Sequence, residues 1–406
     1  MECEFFQNST LQVTLAQGIV QGTMKSTVNQ KVHYFSFEGI PYALPPVGNL
    51  RFKRPQKPPR TILFSELKPG LGEDMVLQVP NSRENLGDGP GDQASESPDS
   101  SGDFSLRHSF QPPVPGERWQ GVLNSTVMDV SCVQVTPSVF NGYAESEDCL
   151  YINVFTPIKK LENAKNAQLL PVMVWIYGGA FLLGTANATY FGPDNLLEEN
   201  VLVVHFGYRL ASFGFLSTGD MESPGNYGLK DQHLALRWVR DNIRHFGGDP
   251  EKVTIFGESA GGVSVQHQLM YLGNRGLFRG AISESGSVLC TWAYQRQPRK
   301  IAFDLGRAAG LVTNSTKRLV DYLRSISTQK LKAATMAASL KNSLGIINGI
   351  PFAPATEPQH EGAFITEKNH KALAEGKIVK VPYIIGFNSE EAAIAKTGAE
   401  MAKIPA

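Results

Sequence analysis

The stretch Val253-Thr254-Ile255-Phe256-Gly257-Glu258-Ser259-Ala260-Gly261 constrains this chain more than any other, because an apolar run enters a G-x-S-x-G pentapeptide and leaves it into Gly262-Val263-Ser264-Val265-Gln266-His267-Gln268-Leu269-Met270. That order reads as strand, sharp turn, helix. In such a turn the central Ser is forced into a strained backbone conformation, and glycines two residues either side let strand and helix approach. The hydroxyl is left at the strand's C-terminal end, where it can act as a nucleophile. A chain with 39 glycines offers chance pentapeptides of this form. Here, however, the strand and the helix both stand where the chemistry needs them, so Ser259 is the candidate nucleophile.

A turn of this kind needs a buried parallel sheet, and the chain supplies the strands. Val172-Met173-Val174-Trp175-Ile176-Tyr177 runs straight into Gly178-Gly179-Ala180-Phe181, and Val201-Leu202-Val203-Val204 follows. Continuous apolar strands mark a sheet covered on both faces. Leu234, Leu236, Trp238, Val239 and Ile243 recur at helical spacing between Lys230 and Phe246, and Gly247-Gly248-Asp249-Pro250 ends the run. Strand and helix alternate, which defines an α/β doubly wound fold. Thr10 to Phe37 reads as a pair of short antiparallel strands, Ser146 to Phe155 ends in an alternating strand, and a helical region extends to about Ser343. Val381 to Gly386 is the last strand expected. Asn85 to Asp103 carries five acidic residues, no basic one, and only Leu86 and Ala94 as hydrophobic residues. Such a segment buries too little apolar surface to offset its ordering entropy, so residues 61–113 read as a largely disordered surface insertion in one domain spanning 1–406.

Charge narrows the partners. The 38 basic and 38 acidic residues cancel, which argues against nucleic acid or an anionic membrane and for a small neutral substrate. The start of the chain lacks a signal-peptide pattern, and no apolar run reaches membrane-spanning length, so the chain reads as soluble and unexported as written. Cys132 and Cys149 point the other way. They flank a Pro/Gly-containing loop that a disulfide can close, with a stabilisation of about 3 kcal/mol. Asn8, Asn124, Asn187 and Asn314 each open an N-glycosylation triplet, which has meaning only in the secretory pathway. The compartment is therefore left open. Cys290 lies in an apolar stretch and reads as a plain buried thiol.

A Ser nucleophile needs main-chain donors for a tetrahedral oxyanion, and the N–H groups of Ala260, Gly179 and Ala180 are the candidates. With these residues in view the chain resembles the type-B carboxylesterases, the cholinesterase and insect esterase group of the α/β hydrolases. The resemblance rests on Phe37-Glu38-Gly39-Ile40-Pro41-Tyr42-Ala43 with Pro45 to Phe52, on Glu147 to Asn153, on Pro224 to Gln232, on Phe256 to Gly262, on Phe352-Ala353-Pro354 with Glu357-Pro358, and on Gly386 to Glu391. It implies Ser259 as nucleophile, Gly179, Ala180 and Ala260 as oxyanion hole, and Glu391, which precedes the small Ala392, as the triad acid. It also implies a Cys132–Cys149 disulfide, an acyl-pocket role for Trp292, and buried ion pairs Arg51–Glu147 and Arg209–Asp231. Neither metal nor cofactor is implied, and the substrate class is a small carboxylic ester.

One part of that pattern is missing. The family places a His well past the acid, yet the eight histidines, of which His360 and His370 are the last, all precede Glu391. Both of these sit in polar stretches and read as ordinary exposed side chains. The expectation is therefore a C-terminally incomplete carboxylesterase, lacking the closing strands and helices and nearly inert as written. A non-catalytic binding module and a stoichiometric ester or organophosphate scavenger are the alternatives.

Overall fold

The structure, a computed structural model, describes residues 11–57, 119, 121–135, 144–157, 169–342 and 350–391. The 61–113 segment and the triplet at Asn8 lie outside the described residues. Thirteen strands and eight α-helices are formed among the described residues. The strands are β1 (Gln12–Leu15), β2 (Gly18–Gln21), β3 (Thr23–Ser26), β4 (His33–Pro41), β5 (Val122–Asn124), β6 (Val130–Cys132), β7 (Ala144–Ser146), β8 (Tyr151–Thr156), β9 (Leu170–Ile176), β10 (Leu202–Phe206), β11 (Gly248–Glu258), β12 (Gly280–Glu284) and β13 (Tyr383–Gly386). The helices are α1 (Asp194–Glu198), α2 (Ala211–Phe215), α3 (Tyr227–Asn242), α4 (Ala260–Met270), α5 (Pro298–Ala308), α6 (Thr316–Ser325), α7 (Thr328–Asn342) and α8 (Asn369–Ala374).

The main sheet has eight strands in the order β13-β12-β11-β9-β10-β8-β4-β3. The ladders from β13 to β10 are parallel, whereas β10–β8, β8–β4 and β4–β3 are antiparallel. The chain leaves β9 for β10 on one side and then returns to β11 on the other. A crevice opens where the strand order reverses in this way, at the carboxyl ends of the strands, and it is the usual place for a ligand. Here those ends belong to β9 and β11, paired in register up to Ile176 and Gly257.

Sequence pattern explains why this sheet is interior. All five residues of β10 are buried, and so are Val172, Val174, Trp175 and Ile176 of β9. The β8 strand differs from its expected alternation: five of its six residues are buried, because β10 and β4 flank it and side chains cover both faces. The N-terminal stretch holds two antiparallel pairs, β1–β2 and β3–β4, rather than one. The expected helical region resolves into α5, α6 and α7, and the helix expected over Lys230–Phe246 is α3 extended by a 3-10 turn at Ile243–Phe246. None of the described helices is long and apolar enough to cross a membrane.

Candidate active site

At the end of β11 the backbone of Ser259 turns at φ 56° and ψ −121° and immediately starts α4. That combination is sterically disfavoured for a residue with a Cβ. Hydrogen bonding holds it there. The Ser259 N–H donates to the Glu284 carbonyl at 2.8 Å, and the Ser259 carbonyl accepts from the Val263 N–H at 3.0 Å. Close approach is the reason for the glycines: a Cβ on Gly261 would stand 2.0 Å from the Ile176 carbonyl oxygen, so only Gly lets α4 begin against the end of β9. Ser259 is half-buried, and its hydroxyl has no hydrogen-bond partner among the described residues.

The loop after β9 lies against this turn. A Cβ on Gly178 would fall 2.6 Å from the Glu258 carbonyl oxygen and 3.2 Å from the Ser259 Cβ. Gly179, Ala180 and Phe181 then take positive φ in succession, at 104°, 56° and 60°. The strain is held by packing and by hydrogen bonds. The N–H groups of Leu182 and Leu183 donate to the Gly179 carbonyl at 2.9 and 3.1 Å, and Ala211 N–H donates to the Phe181 carbonyl at 2.7 Å. Phe181 is fully buried and packs on Phe215 at 5.1 Å between ring centroids. Among the described residues the N–H groups of Gly179, Ala180 and Ala260 have no acceptor. Main-chain donors left unpaired beside a half-buried hydroxyl can receive an oxyanion.

Three carboxylates gather at the same edge. Glu391 Oε1 accepts from the Ser285 hydroxyl and from the Asn388 N–H, the latter at 2.7 Å, and Ser285 N–H donates to the Gly386 carbonyl at 2.8 Å. The donated hydrogen bonds hold Glu391 below the ordinary carboxylate range, Ser285 contributing more than Asn388. It is a fixed anion with Oε2 free of partners among the described residues. Glu258 shifts upward, chiefly through burial and then through the charges of Glu284 and Glu391. The neighbouring Glu390 makes no hydrogen bond among the described residues.

Of the other residues the sequence singles out, Trp292 sits on a 3-10 turn at Thr291–Ala293, half-buried against the main core. Its carbonyl accepts from Ile350 N–H at 3.1 Å. Cys132 and Cys149 are joined as a disulfide, and Cys290 is a half-buried free thiol. The Arg209 guanidinium holds Asp231 through two hydrogen bonds, of 2.8 and 2.6 Å, with a third from the Arg209 N–H at 3.0 Å, and Arg51 holds Glu147 in the same bidentate manner, all four side chains being buried. His370 is exposed. His360 departs from its reading as an exposed side chain: its ring lies 3.3 Å from Glu357 and is 14% exposed.

Two features of the site carry no local sequence signal. One is the Ser285 hydroxyl on Glu391, since Ser285 is remote in sequence and one of many serines. The other is the buried Lys230–Glu357 pair at 2.5 Å, in which Asn226 also donates to Glu357 at 2.8 Å. Both partners lie in stretches already quoted, but their pairing is a long-range contact.

A mixed sheet whose switch point carries a strained strand-to-helix Ser beside an unpaired N–H loop defines an α/β hydrolase. A family described as "Carboxylesterase family" matches residues 9–61 and 106–403, and the chain belongs to it. Mouse bile salt-activated lipase is 38% identical over 293 residues, 70% of this chain and 47% of that protein. Juvenile hormone esterase of Tribolium castaneum is 35% identical over 384 residues, 92% of this chain and 54% of its own. A solved thermophilic PNB esterase superposes with a TM-score of 0.69 at 31% identity, covering 94% of this chain and 64% of that one. The chain spans about half the length of the curated relatives it matches.

Proposed function

We propose that this chain is the nucleophile-bearing part of a carboxylic ester hydrolase working through an acyl-enzyme. Ser259 Oγ attacks the ester carbonyl carbon. Electrons move onto the carbonyl oxygen, which the N–H groups of Gly179, Ala180 and Ala260 receive, and the alcohol then leaves with a proton. Water repeats the attack on the acyl-Ser259 and releases the carboxylic acid. Glu391, fixed by Ser285 and Asn388, is the acid that would orient an imidazole. The observation that carries the reading is the strained Ser259 with its hydroxyl unpartnered against a loop of unpaired N–H groups.

No His follows Glu391 within the 406 residues, so the proton carrier of the family's triad is not among them. Loss of the base in a comparable Ser hydrolase lowers kcat on the order of 10⁶-fold, leaving only the contribution of oxyanion hole and binding. The 406-residue chain is therefore proposed to be nearly inert as a turnover catalyst. The family match stops at 61 and resumes at 106, a gap that supports an insertion over most of 61–113 in a single domain. Trp292, half-buried on the turn at Thr291–Ala293, is the proposed acyl-pocket aromatic.

Hydrolysis of a short chromogenic ester by the purified chain tests this. Background-level turnover is expected, with activity restored when a downstream His-bearing segment is fused after Ala406 and abolished again by Ser259→Ala. Rapid hydrolysis by the unextended chain would refute the inertness. Extension without any Ser259-dependent gain would refute the esterase reading and favour a binding module, while one-to-one labelling of Ser259 by an organophosphonate without turnover identifies a scavenger.

A further inference from the structure

We propose that Asn124 and Asn314 are acceptors for an N-linked oligosaccharide, and that folding closes the same motif at Asn187. Three of the Asn-x-Thr triplets lie among the described residues, and their surroundings differ sharply. Asn124 ends β5 on the small sheet β1-β2-β5 and is exposed. The next residue, Ser125, is fully buried, its N–H bound to the Gln21 carbonyl at 2.8 Å and its carbonyl to the Glu38 N–H at 2.7 Å. Successive strand side chains point to opposite faces, so pinning Ser125 inward turns Asn124 outward. Asn314 is exposed in the connection between α5 and α6. It is followed by Ser315, whose side chain caps α6 by accepting from Arg318 N–H at 3.3 Å. Neither asparagine uses its side chain in a hydrogen bond among the described residues.

Asn187 is built into the interior. It is 6% exposed, its Nδ2 donates to the Met128 carbonyl at 2.7 Å, and its Oδ1 accepts from Thr189 N–H at 2.8 Å. Nδ2 is the atom a glycan would occupy. Transfer breaks the sugar C1–oxygen bond of a lipid-diphosphate-linked donor and forms a C1–Nδ2 bond. The amide loses one proton and the lipid diphosphate leaves. A sugar on Nδ2 would fill the space that the Met128 backbone occupies. The disulfide is an independent indication of the compartment: Cys132 and Cys149 are joined and buried, and such bonds form and persist in oxidising surroundings such as the lumen where glycans are added. The inference does not rest on the ester reading.

The experiment is site mapping on the full chain, translated behind a cleavable export signal into microsomes. A glycosidase that converts each glycosylated Asn to Asp marks occupancy. Modified Asn124 and Asn314 are expected in the total chain, with Asn124→Gln and Asn314→Gln each removing one gel step. Asn187 is expected unmodified in the protease-resistant, disulfide-intact fraction and modified in a Cys132→Ser/Cys149→Ser chain whose fold is loosened. Glycan on Asn187 in the resistant fraction overturns the proposal, and so do unmodified Asn124 and Asn314 in a total chain that has entered the microsomes.

Discussion

Replacing Ser259 by Gly and, separately, by Ala isolates the energy stored in the turn. Both changes delete the hydroxyl, and they differ only in the Cβ. At φ 56° and ψ −121° the Cβ crowds the backbone, and holding a residue in so sparsely populated a conformation costs about 1–3 kcal/mol. Glycine avoids that strain but gives up roughly 0.5–1 kcal/mol more backbone entropy on folding. The difference leaves Ser259→Gly more stable than Ser259→Ala by about 0.5–2 kcal/mol. With an unfolding entropy of about 2.1 cal/mol/K per residue, the whole chain gives roughly 0.8 kcal/mol/K, so the gap is about 1–2 °C in Tm. Chemical denaturation of the two variants gives the same difference from their midpoints at equal slope. Ala337→Gly is the control, since Ala337 is exposed within α7 and the same loss of Cβ there destabilises by about 1 kcal/mol. A Ser259→Ala variant at least as stable as Ser259→Gly, or a response of the same sign at both sites, would show that the turn stores no such strain.

Acid sensitivity follows from three buried imidazoles, His205 and His233 at about 4 and His267 at about 3, all lowered chiefly by burial. Folded values below the unfolded value of about 6.5 mean that stability is complete above that pH and is lost as pH falls towards the folded values. Between pH 7 and 5 each removes about 2 kcal/mol, and His267→Leu should move the acid-unfolding midpoint downward in a circular dichroism titration. An unchanged midpoint would count against the mechanism. Arg209→Met leaves Asp231 buried without its cation and should destabilise by about 3–5 kcal/mol in urea, whereas Arg209→Met with Asp231→Leu should recover much of that loss. Equal losses in the single and double variants would disprove it. Ser285→Ala removes the strongest donor to Glu391, so the carboxyl pKa should rise in a carbon-13 NMR titration; a fall or no change would show that the hydroxyl does not hold the anion.

Local signals carried much of the candidate site. Gly257 and Gly261 around Ser259, with an apolar strand before and a helix after, made the turn legible because strand, sharp turn and helix are consecutive in the chain. Gly178-Gly179-Ala180 was legible for the same reason. The bonded partner of Glu391 was not: Ser285 reaches it across 106 residues, and no spacing rule links the two. Expected alternation in β8 also misled, since alternation predicts one wet face and the neighbours cover both.

The sequence by itself determined the alternation of strands and helices around the Ser259 turn, the turn itself, and the absence of a histidine after Glu391 within these residues, because each is written in contiguous residues or in a count. Tertiary structure alone decided that β9 and β11 lie side by side, that the N–H loop abuts the Ser259 turn, and that Asn187 is sealed while Asn124 and Asn314 face water. These depend on which distant segments share a sheet edge, and backbone packing sets that, not any local pattern.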